Sequence, residues 1–214
     1  VMMSARSFSR WSQPQTSGSG IPVRTPNRVA EIWDRPVPRG LGSPAPLVWL
    51  LGAHGGAGIS TLGHVLDFAS ECGQKWPAPF EGESPFVAIV ARERVDSLDK
   101  AGDLIRQHVS GMAGNSTLIG LITIADRPGR KIPREIDQTR KIVGGLAPTT
   151  WRIEWIEHFT LVRDLRELPV WSHRDPVPEN KKRAADDPTA VPSEIAEIAG
   201  ALRNSIISRL GSGT

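Results

Sequence analysis

One cysteine, Cys72, occurs in 214 residues, which excludes an internal disulfide framework and a cysteine-based metal site. A lone thiol fits a reducing compartment, so a cytoplasmic protein is expected. No apolar run approaches the ~20 residues that a bilayer-spanning helix needs. Val1 to Ser19 is polar and basic without a hydrophobic segment and does not read as a secretory signal. Charge of one sign is scarce too. The chain carries 26 Lys and Arg against 23 Asp and Glu, a formal +3, too small an excess to define a nucleic-acid-binding face. His54, His64, His108, His158 and His173 are scattered, with no H-E-x-x-H or comparable metal spacing. No G-x-S-x-G elbow is present, which argues against a serine hydrolase.

What remains is enough for one sizeable α/β domain plus tails: 39% hydrophobic and 23% charged residues. Residues 1–45 are rich in Ser, Pro, Gly and Arg and poor in apolar side chains, so they are expected to form a disordered arm. Arg6, Arg10, Arg24, Arg28, Arg35 and Arg39 make it basic, and Phe8, Trp11 and Trp33 are candidate anchors. Two readings stand: a solvated tail, or a segment that folds onto a partner, DNA included, or back onto the domain. Asn27 to Trp33 suits a short helical turn.

From Pro46 the pattern becomes regular. Leu47–Leu51 is a short apolar run ending at a glycine, as for a strand covered on both faces. A helix is expected from Ser60 to about Ser70, then a loop, a second buried strand over Phe86–Ala91, and a helix capped by Asp96. That helix places Leu98, Ala101, Ile105, Val109 and Met112 on one face. Leu118–Ile124 is a third strand and Arg127-Pro-Gly129 a turn. A helix from Pro133 to about Val143 stops at Gly144-Gly145. Thr150–Ile156 is a fourth strand, with Trp151, Ile153 and Trp155 on one side and Arg152 and Glu154 on the other. Such a strand is either a sheet edge or a thinly covered face that receives a partner. Residues 160–168 suit a short helix, and residues 171–192 a polar linker. Lys181-Lys-Arg183 in that linker reads as a solvated run or as a DNA contact. Residues 193–210 form an amphipathic helix packing on the domain, with Ile195, Ile198, Leu202, Ile206 and Leu210 in one stripe. Alternating strands and helices imply parallel pairing. The expected fold is a small, doubly wound, mostly parallel α/β sheet of about four strands over residues 46–170.

The motif that carries chemistry is Gly52-Ala-His-Gly-Gly-Ala-Gly-Ile-Ser-Thr61, between the first strand and the first helix. Glycines let backbone N–H groups turn toward a phosphate. The full phosphate-loop signature, G-x-x-x-x-G-K-[ST], adds a lysine for the phosphates and a hydroxyl for magnesium. Aligned on Gly58, this chain has Ala53 for the first glycine, Ile59 for the lysine and Ser60 for the hydroxyl. Losing one charge-assisted hydrogen bond of ~1.5–3 kcal/mol weakens binding roughly ten- to a hundredfold. Phosphoryl transfer suffers more, since it relies almost wholly on positioning and charge. His54 is the nearest replacement cation in the sequence. The candidate phosphate-binding residues are His54, Gly55, Gly56, Ala57, Gly58, Ile59, Ser60, Thr61 and Asp126, with Ser60 as a magnesium ligand. The alternative is a tight strand-to-helix connection without a ligand.

Residues 53–61 resemble the deviant loop of the partition and septum-site ATPases of the ParA/MinD type, whose pattern is x-K-G-G-x-G-K-[ST]-T. Gly55, Gly56, Gly58, Ser60 and Thr61 match, while His54 and Ile59 replace both lysines. The resemblance implies a P-loop-like fold, ATP or ADP with magnesium as cofactor, a homodimer, and a role in plasmid or phage maintenance. The lost lysines imply weak binding without turnover. They also remove the residue that acts across the family's dimer. Phe86 to His108, Gly120 to Asp126 and Arg152 to Val170 are similar to the family's later strands, which leaves its middle absent. In a competing register Leu121 to Asp126 is the metal-positioning strand, and Asp126 a switch residue rather than a turn residue. Residues 46–170 also resemble an uncharacterised bacterial family of short P-loop-like proteins, through Trp49, Ala125-Asp-Arg-Pro-Gly129 and Trp151-x-x-x-Trp-Ile-Glu157. Three functions follow as expectations: a non-catalytic nucleotide binder, a protein-interaction module with a relic loop, or a residual ATPase.

Overall fold

The structure is a computed structural model that describes residues 24–40, 44–78, 80–129, 131–172, 174–175 and 189–211. Val48–Gly52 (β1) and Phe86–Arg92 (β3) are almost wholly buried runs, as their unbroken apolar character requires in a two-sided sheet. They pair in parallel with each other, and β3 pairs with Thr117–Ile124 (β4). β4 in turn pairs with Thr150–Ile153 (β5). A fifth strand, Ala69–Glu71 (β2), lies on the far side of β1, giving the order β2-β1-β3-β4-β5 with every pairing parallel. The fold is therefore α/β and doubly wound, with one strand more than expected.

The extra strand revises the first helix. Ile59–Val65 (α1) ends at Leu66, which is extended, and Ala69 pairs with Val48 instead of continuing the helix. Leu62, Val65, Leu66 and Ala69 sit at helical spacing, yet an apolar alanine also fits a buried strand, and pairing with β1 decides. Two further boundaries shift. β5 stops at Ile153, so Trp155 lies beyond the strand, and the expected helix over 160–168 becomes His158–Leu161 (α4) plus a 3-10 turn at Leu165–Glu167.

Alternation along the strands sorts the core. Val48, Leu50, Ala88, Val90, Ile119 and Ile122 face α1 and Ser193–Gly211 (α5). Trp49, Leu51, Val87, Ile89, Leu118 and Leu121 face Val95–Val109 (α2) and Arg134–Gly144 (α3). The phase slips once in β4, where Val87 pairs with Leu118 but Ala88 pairs with Gly120. Asp96 does not cap α2 through its side chain; Arg94 holds the cap position, and Val109 and Met112 are exposed. α5 buries Ile195, Ile198, Leu202 and Ile206, while Leu210 projects into solvent.

Part of the basic arm is built into the domain. Among residues 24–40, Trp33 donates its N–H to the Trp76 carbonyl at 2.9 Å, and its indole N–H donates to the Cys72 carbonyl. The buried Gln107 amide both accepts from Ala30 N–H and donates to Ala30 C=O, each at 2.8 Å. Val37, also of this segment, is buried in the core. Two backbone carbonyls and the Gln107 side chain thus hold the arm, together with the packing of Ala30, Trp33 and Val37 on the core. The segment read as a linker likewise begins packed, with Trp171 buried and its N–H donating to Val65 C=O at 2.7 Å. Residues 1–23, with the anchors Phe8 and Trp11, and the basic run Lys181-Lys-Arg183 lie outside the described residues.

Gly120 is the tightest point of the sheet. A Cβ there would lie 2.5 Å from the Thr149 carbonyl oxygen and 2.6 Å from the Trp151 ring. Gly120→Ala should therefore destabilise the protein by about 2–3 kcal/mol through overpacking, read as a lower urea midpoint. An unchanged midpoint would show that β5 is not held this close.

Candidate functional site

The glycine loop leaves β1 with its backbone already committed. Gly52 N–H donates to Gly73 C=O and Ala53 N–H to Val90 C=O, so the strand is locked until its last residue. Ala57 N–H then donates to His54 C=O at 3.2 Å, which closes the turn. Gly56 and Gly58 take φ of +84° and +103°, a region that residues with a Cβ enter only with strain. Gly58 has a second constraint: a Cβ there would meet Ile124 Cδ1 at 2.9 Å. The loop is thus drawn against the end of β4. α1 has only seven residues, so charge for a ligand must come mainly from side chains.

Beside the loop, at the carboxyl ends of the strands, lies a cleft of about 350 Å³. This is the crevice in which open α/β sheets bind ligands, next to β1, where the strand order reverses. Gly56, Gly58, Thr61 and Asp126 line it together, opposite an apolar wall that includes Trp155 and Phe159. Asp126 is exposed, at the end of β4. The remaining expected residues go elsewhere. Ser60 donates its hydroxyl to Glu71 on β2 at 2.5 Å and lines a separate hollow with Arg39 and His64. His54 does not line the cleft. Its Nδ1 meets the Gly55 carbonyl oxygen at 2.6 Å, and its buried Nε2 has no hydrogen-bond partner among the described residues. Ile59 packs on Gly52, where its Cδ1 would lie 3.3 Å from an added Cβ, and against the core on the α1 side. Gly55 is exposed and Ala57 fully buried.

These positions do not fit a loop-type magnesium site. The Ser60 hydroxyl that would hold the ion faces β2 instead. Among the described residues no group of three or more His, Cys, Asp or Glu side chains is placed to hold a metal.

Sequence reading missed Arg92. In β3, Ala88, Val90 and Arg92 share one face; the first two are buried under α1 and α5, and Arg92 emerges beyond the sheet in the cleft. Its Nε donates to Gly56 C=O at 3.4 Å and its Nη1 to Ala125 C=O at 3.2 Å. Burial pushes its pKa below the ordinary arginine value, and the neighbouring Asp126 opposes that only in part. One signal was available. A charged residue ending a buried strand beside the glycine-loop strand falls where ligands bind in such sheets.

The next residue, Glu93, faces the other way and is 5% exposed. Arg152 grips it with Nε at 2.7 Å and Nη2 at 3.1 Å, Thr123 donates at 3.3 Å, and Arg140 stands 3.8 Å away. Hydrogen bonding to Glu93 pushes the Arg152 pKa up. So β5 is a sheet edge, as one of the two readings had it, and its odd polar residue neutralises a buried carboxylate from within. Glu154 N–H donates to Glu194 of α5 at 2.7 Å, and residues 154–156 beyond the strand form part of the cleft wall. Burial raises the Glu194 pKa.

A sequence model of a family of unknown function, DUF6668, matches residues 46–168. The chain belongs to this family. No curated protein and no solved structure matches it. The family segment holds the glycine loop, Arg92, the Glu93–Arg152 pair, Asp126 and the Trp155–Phe159 wall; Ile195 of α5, which also touches the cleft, lies outside. Among the described residues no helix is long and apolar enough to cross a membrane.

Breaking the Glu93–Arg152 pair from one side strands a buried charge. Arg152→Met should cost about 3 kcal/mol in chemical unfolding, and adding Glu93→Gln should restore most of it. A single variant as stable as wild type would contradict the pairing.

Proposed function

We propose that this domain binds a phosphate-bearing small molecule, a nucleotide in the first instance, in the cleft beside the glycine loop and does not hydrolyse it. The observation that carries the reading is the pair of left-handed glycines, Gly56 and Gly58, lining one cleft with Thr61, Asp126 and an apolar wall. A glycine cradle suits an anion, and a flat apolar surface suits a ring. Their union at the carboxyl ends of parallel strands is the arrangement that open α/β sheets use for nucleotides. Turnover is disfavoured because Ile59 stands in the lysine's place and Ser60 is engaged with Glu71. With magnesium unsupported, binding should not need the ion.

The resemblance to the ParA/MinD-type ATPases supports a role in plasmid or phage maintenance, exercised in the cytoplasm by binding rather than catalysis. The second reading, an interaction module with a relic loop, is favoured by one observation: the packing of Ile59 on Gly52 gives the loop a structural purpose of its own.

Isothermal calorimetry with ATP, ADP, GTP and GDP separates the two. The expected result is a dissociation constant of roughly 0.1–1 mM for at least one nucleotide, unchanged by magnesium, as a loop lacking its lysine implies. No heat from any of the four at millimolar concentration favours the relic loop.

A further inference from the structure

Of the described residues that line the cleft, Arg92 alone is positively charged, and Asp126 and Glu154 line it too. Glu154 already answers to Arg152, whose Nη1 lies 3.3 Å from Glu154 Oε1. Arg92 is not answered in the same way. Among the described residues it forms no ion pair within 4.0 Å, and its two hydrogen bonds, at 3.4 and 3.2 Å, go to neutral carbonyls at or beyond the usual limit. A guanidinium has five N–H donors, so three remain. Its Nη2 lies 3.8 Å from where a Cβ on Gly58 would be, against the tightest residue of the glycine loop.

We propose that Arg92 is the anion-binding cation of this site, taking from the adjacent strand the charge that Ile59 and His54 do not supply. This rests on the reading of the cleft as a phosphate site and names the group that makes it one. The Gly56 and Ala125 carbonyls hold the guanidinium through Nε and Nη1. Its Nη2, beside Gly58, and the second Nη1 N–H are left to donate to a ligand oxygen bound at Gly56 and Gly58. Arginine suits the task because its planar fork is held at one end and offers donors at the other, which the point charge of lysine does not. The ligand class follows: an anion with oxygens on one centre, a phosphate or diphosphate, joined to a ring that lies on the Trp155–Phe159 side.

The test compares the full chain with its Arg92→Gln and Arg92→Lys variants, using pyrophosphate, ADP and GDP, and adenosine and guanosine as uncharged controls. Arg92→Gln should weaken pyrophosphate and the nucleoside diphosphates roughly ten- to a hundredfold while leaving nucleoside affinity and the melting temperature unchanged. Arg92→Lys should recover part of that loss. Equal binding of ADP or GDP by wild type and Arg92→Gln overturns the proposal and leaves the site reading standing. Equal loss of nucleoside and nucleotide also overturns it, since that marks a structural role. A wild type that binds none of the probes overturns both. Should Arg92→Gln not fold, the Arg92 Nε–H resonance of wild type, identified by its absence in Arg92→Lys, must shift on adding pyrophosphate. An unmoved resonance overturns the proposal.

Discussion

The contact on which the cleft depends is between an atom that is absent and a methyl group. Gly58 has no Cβ, and Ile124 Cδ1 stands only 2.9 Å from where one would be. Because of that, the loop after β1 can lie down on the end of β4 across the intervening β3, even though the two strands are not neighbours. Gly58 can then turn through positive φ and start α1 over the sheet. With a side chain at Gly58 the loop would have to rise. The floor of the cleft, the approach of Arg92 to Gly56 and the packing of Ile59 on Gly52 would all change together.

Pleating explains how so small a domain places opposite demands side by side. Arg92 and Glu93 are consecutive at the end of β3 and point to opposite faces. One enters the cleft near Asp126 but, among the described residues, without an ion pair within 4.0 Å. The other is buried against Arg152, Thr123 and Arg140 on the α3 side. The Glu93 network pins β3, β4 and β5 at the carboxyl end of the sheet, so the cleft above them has a rigid floor. Glu194 does the same for the wall by accepting from Glu154 N–H. The charge that the loop lacks is thus held by a strand whose end is braced from below.

Much of the scaffold was legible because its signals are local. The buried strands at Val48, Phe86 and Thr117 are apolar runs, and the loop's glycines announce their backbone conformation. What sequence reading missed depends on contacts between distant segments. Ala69 is a strand residue only because Val48 is beside it. The arm was read as either solvated or folded onto a partner or the domain, and what decides for the strap around Trp33, Gln107 and Cys72, lies far along the chain. Ser60 and Thr61 are adjacent in a phosphate-loop pattern, yet a partner on β2 takes one and the cleft takes the other. Arg92 follows no motif. Its place is set by strand parity and by the register of β3 against β1, which pairs Gly52 with Val90 and leaves Arg92 two residues beyond.

The central claim is that a phosphate anion sits over Gly56 and Gly58 against the ends of β3 and β4. Amide ¹H–¹⁵N correlation spectra of the full chain, titrated with pyrophosphate and then with a nucleoside diphosphate, test it most directly. Pyrophosphate should shift the amides of residues 55–61, Arg92 and residues 125–126, and the nucleotide should extend the shifts to residues 154–160. Shifts confined to other surfaces, or none at millimolar ligand, would contradict the account.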